Sequence, residues 1–164
     1  KPLTKTYSQS LKLFHKAKKN NVLLYVDEVQ SFLNKKIILK KHNFITRQKQ
    51  GSGSPKDLLF RFAYHDFYFL YEKVKRYKIS NIKIINIKGC LEFKIDFGNK
   101  TFFFHYNLNS KKKIHSFNSI NLITRKDVLS KMIKDVLNEK VDFKNNKNKS
   151  LFANKLIDKI IKKI

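Results

Sequence analysis

Leu91, Phe93, Ile95 and Phe97 alternate with Glu92, Lys94 and Asp96. Strict period two predicts a strand with one buried and one wet face. Gly98-Asn99 then predicts a turn, and residues 101–107 (TFFFHYN) an antiparallel return. Upstream, 57–64 (DLLFRFAY) and 67–72 (FYFLYE) are rich in aromatics and read as two more strands, joined at His65-Asp66. Ile79, Ile82, Ile84, Ile85 and Ile87 predict a strand ended by Lys88-Gly89, and 35–42 (KKIILKKH) a short first strand.

Helical spacing appears at both ends of the chain. Leu11, Leu13, Phe14 and Ala17 predict a helix over 6–18. Val22, Tyr25, Val26, Val29, Phe32 and Leu33 predict a second, with Asp27 and Glu28 on its solvated side. Thr124 is placed to cap a helix reaching residue 139, with Val128, Leu129, Met132, Ile133, Val136 and Leu137 as its stripe. Residues 114–123 fit strand and helix alike. After a polar linker, 144–149 (KNNKNK), Ser150 is placed to cap a last helix carrying Phe152, Leu156, Ile157, Ile160, Ile161 and Ile164. A stripe so complete is expected to pack back onto the body of the protein, a membrane interface being the alternative.

The expected architecture is α+β and mainly β: a seven-stranded antiparallel barrel capped by a C-terminal helix, with N-terminal helices and a tail helix. The expected division is 1–33 as a helical extension, 34–139 as the barrel domain and 140–164 as linker and tail. Gly51-Ser52-Gly53-Ser54 holds two of the chain's four glycines and reads as a flexible linker replacing a longer loop.

Charge sharpens this picture. Thirty-seven Lys and Arg against twelve Asp and Glu give a formal net charge of +25, which favours a polyanionic partner. Nucleic acid and an anionic membrane both qualify. An AT-rich coding bias also inflates Lys and Asn and accounts for part of the excess. One cysteine, Cys90, excludes an internal disulfide framework and a zinc site built on several thiolates. No apolar run of about eighteen residues occurs, so no spanning helix is expected. His15, His42, His65, His105 and His115 show no metal-ligand spacing. No metal, no cofactor and no catalysis are therefore expected.

The segments FLNKKIILKKHNF, DLLFRFAYHDFYFLYE, KISNIKIINIKG, LEFKIDFGNKTFFFHYN and RKDVLSKMIKDVL together resemble the pleckstrin-homology (PH) domain family over about 32–137, and within it the acylated PH-domain proteins of apicomplexan parasites. Lys35, Lys36, Lys40, Lys41, Arg47, Lys49 and Lys56 bracket the first strand and its loop. The resemblance implies a headgroup site at the barrel's open end. There Lys36, Lys40, Lys41, Arg47 and Arg61 would gather on phosphate, Tyr71 would donate a hydrogen bond and Lys73 would flank them. The expected function is a non-catalytic, monomeric module binding phosphatidic acid or a phosphoinositide, cytoplasmic and peripheral on a membrane such as that of a secretory organelle. RNA binding and a PH-like protein-interaction scaffold are the alternatives.

Overall fold

A computed structural model describes residues 2–32, 36–123 and 126–164. Helix α1 (Tyr7–Lys19) starts where the Thr6 side chain accepts from the Gln9 N–H, and its last turn carries Lys16, Lys18 and Lys19 against the negative end of the helix dipole. Strand β1 (His42–Gln50) follows a 3₁₀ turn (Val29–Phe32) and an extended stretch. A continuous helical run then spans 55–74: α2 (Pro55–Leu58), a π-helical turn (Leu59–Ala63) and α3 (Tyr64–Val74). Next come β2 (Ile79–Asn86), β3 (Leu91–Phe97), β4 (Lys100–Asn107), β5 (Asn109–Phe117) and the short β6 (Ile120–Asn121). Helices α4 (Lys126–Leu137) and α5 (Phe143–Ile161) end the chain.

The strands form one six-stranded open sheet in the order β2-β3-β4-β1-β5-β6. β1 runs parallel to β4, and the other pairs are antiparallel. This corrects the expected seven-stranded antiparallel barrel. The decisive stretch is 57–72, expected as two strands and found inside the helical run. Its buried positions, Leu59, Phe62, Ala63, Phe67, Leu70 and Val74, recur at three and four residues, the period of a helix lying on a sheet. So many aromatics fill the intervening positions that the helical face is hidden in the sequence. Ser54 and Asp57 form a capping box and Pro55 occupies the first turn, so the Gly/Ser loop leads straight into a helix.

The β3–β4 hairpin follows its alternation. Leu91, Phe93, Ile95 and Phe97 are buried and pair with the strand carrying Phe102, Phe104 and Tyr106. Gly98 turns the chain at φ 58°, and a Cβ there would come within 3.0 Å of the Tyr77 ring. Phe67 meets Phe93 and Phe104 edge-on from the helix above, which closes the inner face of the sheet.

Further expectations are corrected. Residues 22–28 belong to no regular element rather than to a helix, and the Asn146 side chain takes both backbone groups of Val26, accepting from its N–H (2.9 Å) and donating to its carbonyl (2.8 Å). Leu33 and Lys35 of the predicted second helix and first strand lie outside the described residues, and strand pairing begins only at His42. The 144–149 stretch is the opening of α5, capped by Asp142, rather than a linker. Ser150 is therefore internal and accepts a 2.9 Å hydrogen bond from the Tyr64 hydroxyl. The α5 stripe is buried at Leu156, Ile157 and Ile160, against α3 and α1, each side chain contributing about 1.5–3 kcal/mol. The proposed cap Thr124 of α4 lies outside the described residues.

Candidate functional site

Strand register assembles a polar centre in the middle of the inner face. Arg47 on β1 pairs with Tyr106 on β4 and with His115 on β5, so three polar side chains stand abreast. Asp66 descends on them from α3. It accepts from Arg47 Nε (2.9 and 3.0 Å) and Nη2 (2.8 Å), from the Tyr106 hydroxyl (2.9 Å) and from His115 Nε2 (3.1 Å). Burial would push the Asp66 carboxyl up, but the Arg47 guanidinium and the His115 hydrogen bond outweigh it and hold the carboxyl well below the usual range. Burial and the neighbouring Asp66 charge drive the Tyr106 phenol upward. His115 Nδ1 faces the Leu122 carbonyl at 3.1 Å, so both of its ring nitrogens face acceptors.

Next to this centre opens a cleft of about 260 Å³, walled by Arg47, Lys49, Arg61, Lys113, His65 and His115 together with Phe62. Arg61 and Phe62 stand on the π-helical turn, an irregularity that often marks functional positions. Arg61 donates to the Ser52 carbonyl at 2.8 Å, which ties the Gly/Ser loop to the cleft wall. Lys49 lies over the Phe62 ring, 5.6 Å from its centroid. Its ammonium is pulled below the usual lysine value by burial first, then by Arg61, Lys113 and Arg47. The cations crowd one another, and an anion placed among them relieves that repulsion.

His65 adds acid–base chemistry to the cleft. Its Nδ1 lies 2.5 Å from Glu28 Oε2, and Glu28 is buried. A carboxylate held on one ring nitrogen fixes the tautomer and leaves Nε2 as the working nitrogen. Glu28, expected on the wet side of a helix, is thus a buried bracing group, and His65-Asp66, expected as a turn, supplies two functional side chains from consecutive helical positions.

Of the residues expected to gather on phosphate, the structure brings together Arg47 and Arg61. Lys36, Lys40 and Lys41 are exposed on the extended segment before β1. Arg47 is six residues beyond Lys41, about 20 Å along an extended chain. Lys73 donates to the Ile37 carbonyl at 3.3 Å and fastens that segment to α3. Tyr71 packs edge-on against Phe152 at 5.4 Å and stands outside the cleft. Glu28, His65, Asp66, Tyr106 and His115 were not singled out as site residues in the sequence. The signal that points to them is the burial period of the helical run, which puts His65 and Asp66 above β1.

No family model matches the chain, and no curated protein sequence does. Solved structures do match its fold. UDP-N-acetylglucosamine 3-dehydrogenase from Acidithiobacillus ferrooxidans superposes with a TM-score of 0.72 at 7% identity, over 97% of this chain and 67% of that one. A dehydrogenase from Clostridium difficile gives 0.70 at 17% identity, over 100% and 70%. The WlbA dehydrogenase from Thermus thermophilus, solved with NAD and alpha-ketoglutarate, gives 0.71 at 10% identity, over 96% and 62%. The chain thus shares its fold with part of each of these dehydrogenases. This corrects the pleckstrin-homology resemblance and, with it, the expectation of a non-catalytic module whose partner is a membrane lipid: these neighbours are named as dehydrogenases.

NAD accompanies one neighbour, but the residues described here do not fit a dinucleotide. That site needs a glycine-rich turn from a parallel strand into a helix N-terminus that receives the pyrophosphate. None of the four glycines completes that spacing. The helix start at Pro55 is already taken by the chain's own Asp57, which accepts from the Ser54 N–H and hydroxyl, both at 2.8 Å.

Proposed function

We propose that this chain is the substrate-holding part of an oxidoreductase-type enzyme, in which the cleft between β1, β5 and the 55–74 helix takes a small anionic molecule and His65 exchanges a proton with it. The observation that carries this reading is the convergence of Arg47, Lys49, Arg61 and Lys113 with the Glu28-braced His65 on one concavity. Oxidising an alcohol passes a hydride from carbon to an acceptor, which here would have to be held outside the described residues, and a proton from oxygen to a base within reach. An imidazole whose Nδ1 is held by a buried carboxylate is oriented to meet that need.

The cleft selects charge before shape. Arg61 offers planar donors suited to carboxylate or phosphate, and Phe62 supplies an apolar floor. Arg47 is locked by Asp66 and cannot swing away, so it is a fixed point of reference for the anion. The neighbours named with UDP-N-acetylglucosamine and with alpha-ketoglutarate handle a diphosphate and a dicarboxylate, and both chemistries fit such a cleft.

Calorimetric titration with inorganic phosphate, alpha-ketoglutarate and a UDP-sugar tests the reading. At least one anion binds with a single site, and Arg61→Ala or Lys49→Ala weakens it by about tenfold, the loss of one charge-assisted contact of roughly 1.5 kcal/mol. Equal, weak binding of every anion to wild type and variants overturns it.

A further inference from the structure

The face of the sheet turned away from the helices carries a second constellation. Cys90 precedes β3, Glu92 lies two residues on and shares its face by the strand period, and His105 is the cross-strand partner of Glu92 on β4. The Cys90 sulfur, a Glu92 carboxylate oxygen and a His105 ring nitrogen lie within 4.8 Å of one another, all three residues half-buried. We propose that these side chains form a zinc site, with water as the fourth ligand.

The donor set is the first argument. Thiolate, imidazole and carboxylate are the ligands zinc prefers, and three protein ligands with one open position make a tetrahedral site of the exchangeable kind. Bonds of about 2.0–2.3 Å place ligand atoms roughly 3.3–3.8 Å apart. Reaching that spacing takes shifts of about 1 Å, including a slight opening of the 2.7 Å His105–Glu92 contact, within reach of side-chain rotation on a rigid hairpin.

The surrounding hydrogen bonds are the second. Asn86 Nδ2 donates to Cys90 Sγ at 3.3 Å and so fixes where the sulfur stands. The Gln48 amide lies 3.1 Å from His105 Nε2, while His105 Nδ1 meets Glu92 at 2.7 Å. Without metal, the amide N–H donates to Nε2 and Nδ1–H donates to Glu92. Turning the amide over presents its oxygen to an Nε2–H and frees the Nδ1 lone pair for the metal, the outer-layer arrangement typical of zinc-bound histidine. Metal then takes the place of the proton between His105 and Glu92, and the thiol proton leaves to solvent. Sequence spacing misses the site because Cys90-x-Glu92 supplies two ligands and strand pairing the third.

Cobalt(II) titration of the full chain tests this. One equivalent gives a thiolate-to-cobalt charge-transfer band and the intense visible bands of tetrahedral cobalt, and zinc displaces both. Cys90→Ser removes the charge-transfer band, and His105→Ala and the near-isosteric Glu92→Gln each weaken binding by about tenfold or more. His15→Ala leaves it unchanged, and circular dichroism checks the fold of each variant. Absence of the thiolate band in wild type, or unaltered affinity in folded His105→Ala and Glu92→Gln, overturns the proposal.

Discussion

The two faces of the sheet carry histidine–carboxylate pairs in opposite settings. On the inner face, His115 and Asp66 sit in a dry centre with Arg47 and Tyr106, and every polar atom of Asp66 is engaged. On the outer face, His105 and Glu92 are about one-third exposed, and Phe44 and Ile85 nearby are about half exposed. The same chemistry is therefore fixed in one place and adjustable in the other. Burial makes the inner pair costly to disturb and suits it to holding a cleft in shape. Hydration makes the outer pair cheap to rearrange and suits it to an exchangeable ligand.

The largest effect expected is from Asp66→Asn, which strands a buried guanidinium. Urea unfolding should show a loss of about 3–5 kcal/mol. The metal-free protein should tolerate Glu92→Gln on the outer face within about 0.5 kcal/mol. Equal losses from the two would erase the contrast between the faces.

Acid should separate them as well. The folded Asp66 carboxyl is held below its unfolded value, so its contribution is fully present above the unfolded pKa of about 3.9 and is lost as pH falls toward the folded one. Unfolding midpoints measured below about pH 4 should fall steeply in wild type and less so in Asp66→Asn. Parallel curves would remove Asp66 from the account.

Smaller still, Tyr64→Phe should cost about 1–3 kcal/mol by leaving the buried Ser150 hydroxyl without its donor. A thermal melt of that variant sharpens the comparison, because this contact joins α3 to α5 and belongs to neither face of the sheet. The smallest expected effect concerns Lys49. Its ammonium is lowered in the free cleft, chiefly by burial and then by its cationic neighbours. Anion binding raises it again, so binding takes up protons in the alkaline window between the two values. The calorimetric enthalpy should then vary with buffer ionisation in wild type and not in Lys49→Ala.

How much of this the sequence discloses depends on which force sets each element. The β3–β4 hairpin is legible because its inner positions are apolar, its outer positions polar and its turn needs Gly98. The 55–74 helix is not, because Phe60, Phe69 and Tyr71 put apolar rings on positions outside the buried face. A helix with rings on nearly every side reads as a strand. Its start lies at Ser54-Pro55-Lys56-Asp57, a cap with proline in the first turn, which the reading of 51–54 as a linker passes over. Of the candidate site, Arg47 and Arg61 are legible as cations expected on phosphate, Arg47 beside the loop after the first expected strand and Arg61 on the expected strand 57–64. Their separation from Lys40 and Lys41 is not, since it follows from where pairing of β1 begins. Glu28 is hidden by a pattern that fits an amphipathic helix, whereas Asn146, 120 residues away, takes the Val26 backbone groups that a helix would use.

Nitrogen-15 spectra of histidine-labelled protein, recorded while alpha-ketoglutarate or phosphate is added, test the central claim most directly. The account predicts that the His65 ring carries its proton on Nδ1 toward Glu28, and that its Nε2 resonance moves as the cleft fills. His105 on the opposite face should stay still, and Arg61→Ala should suppress the His65 shift. A His65 signal that ignores the anion while His105 responds would contradict the assignment of the cleft as the substrate site.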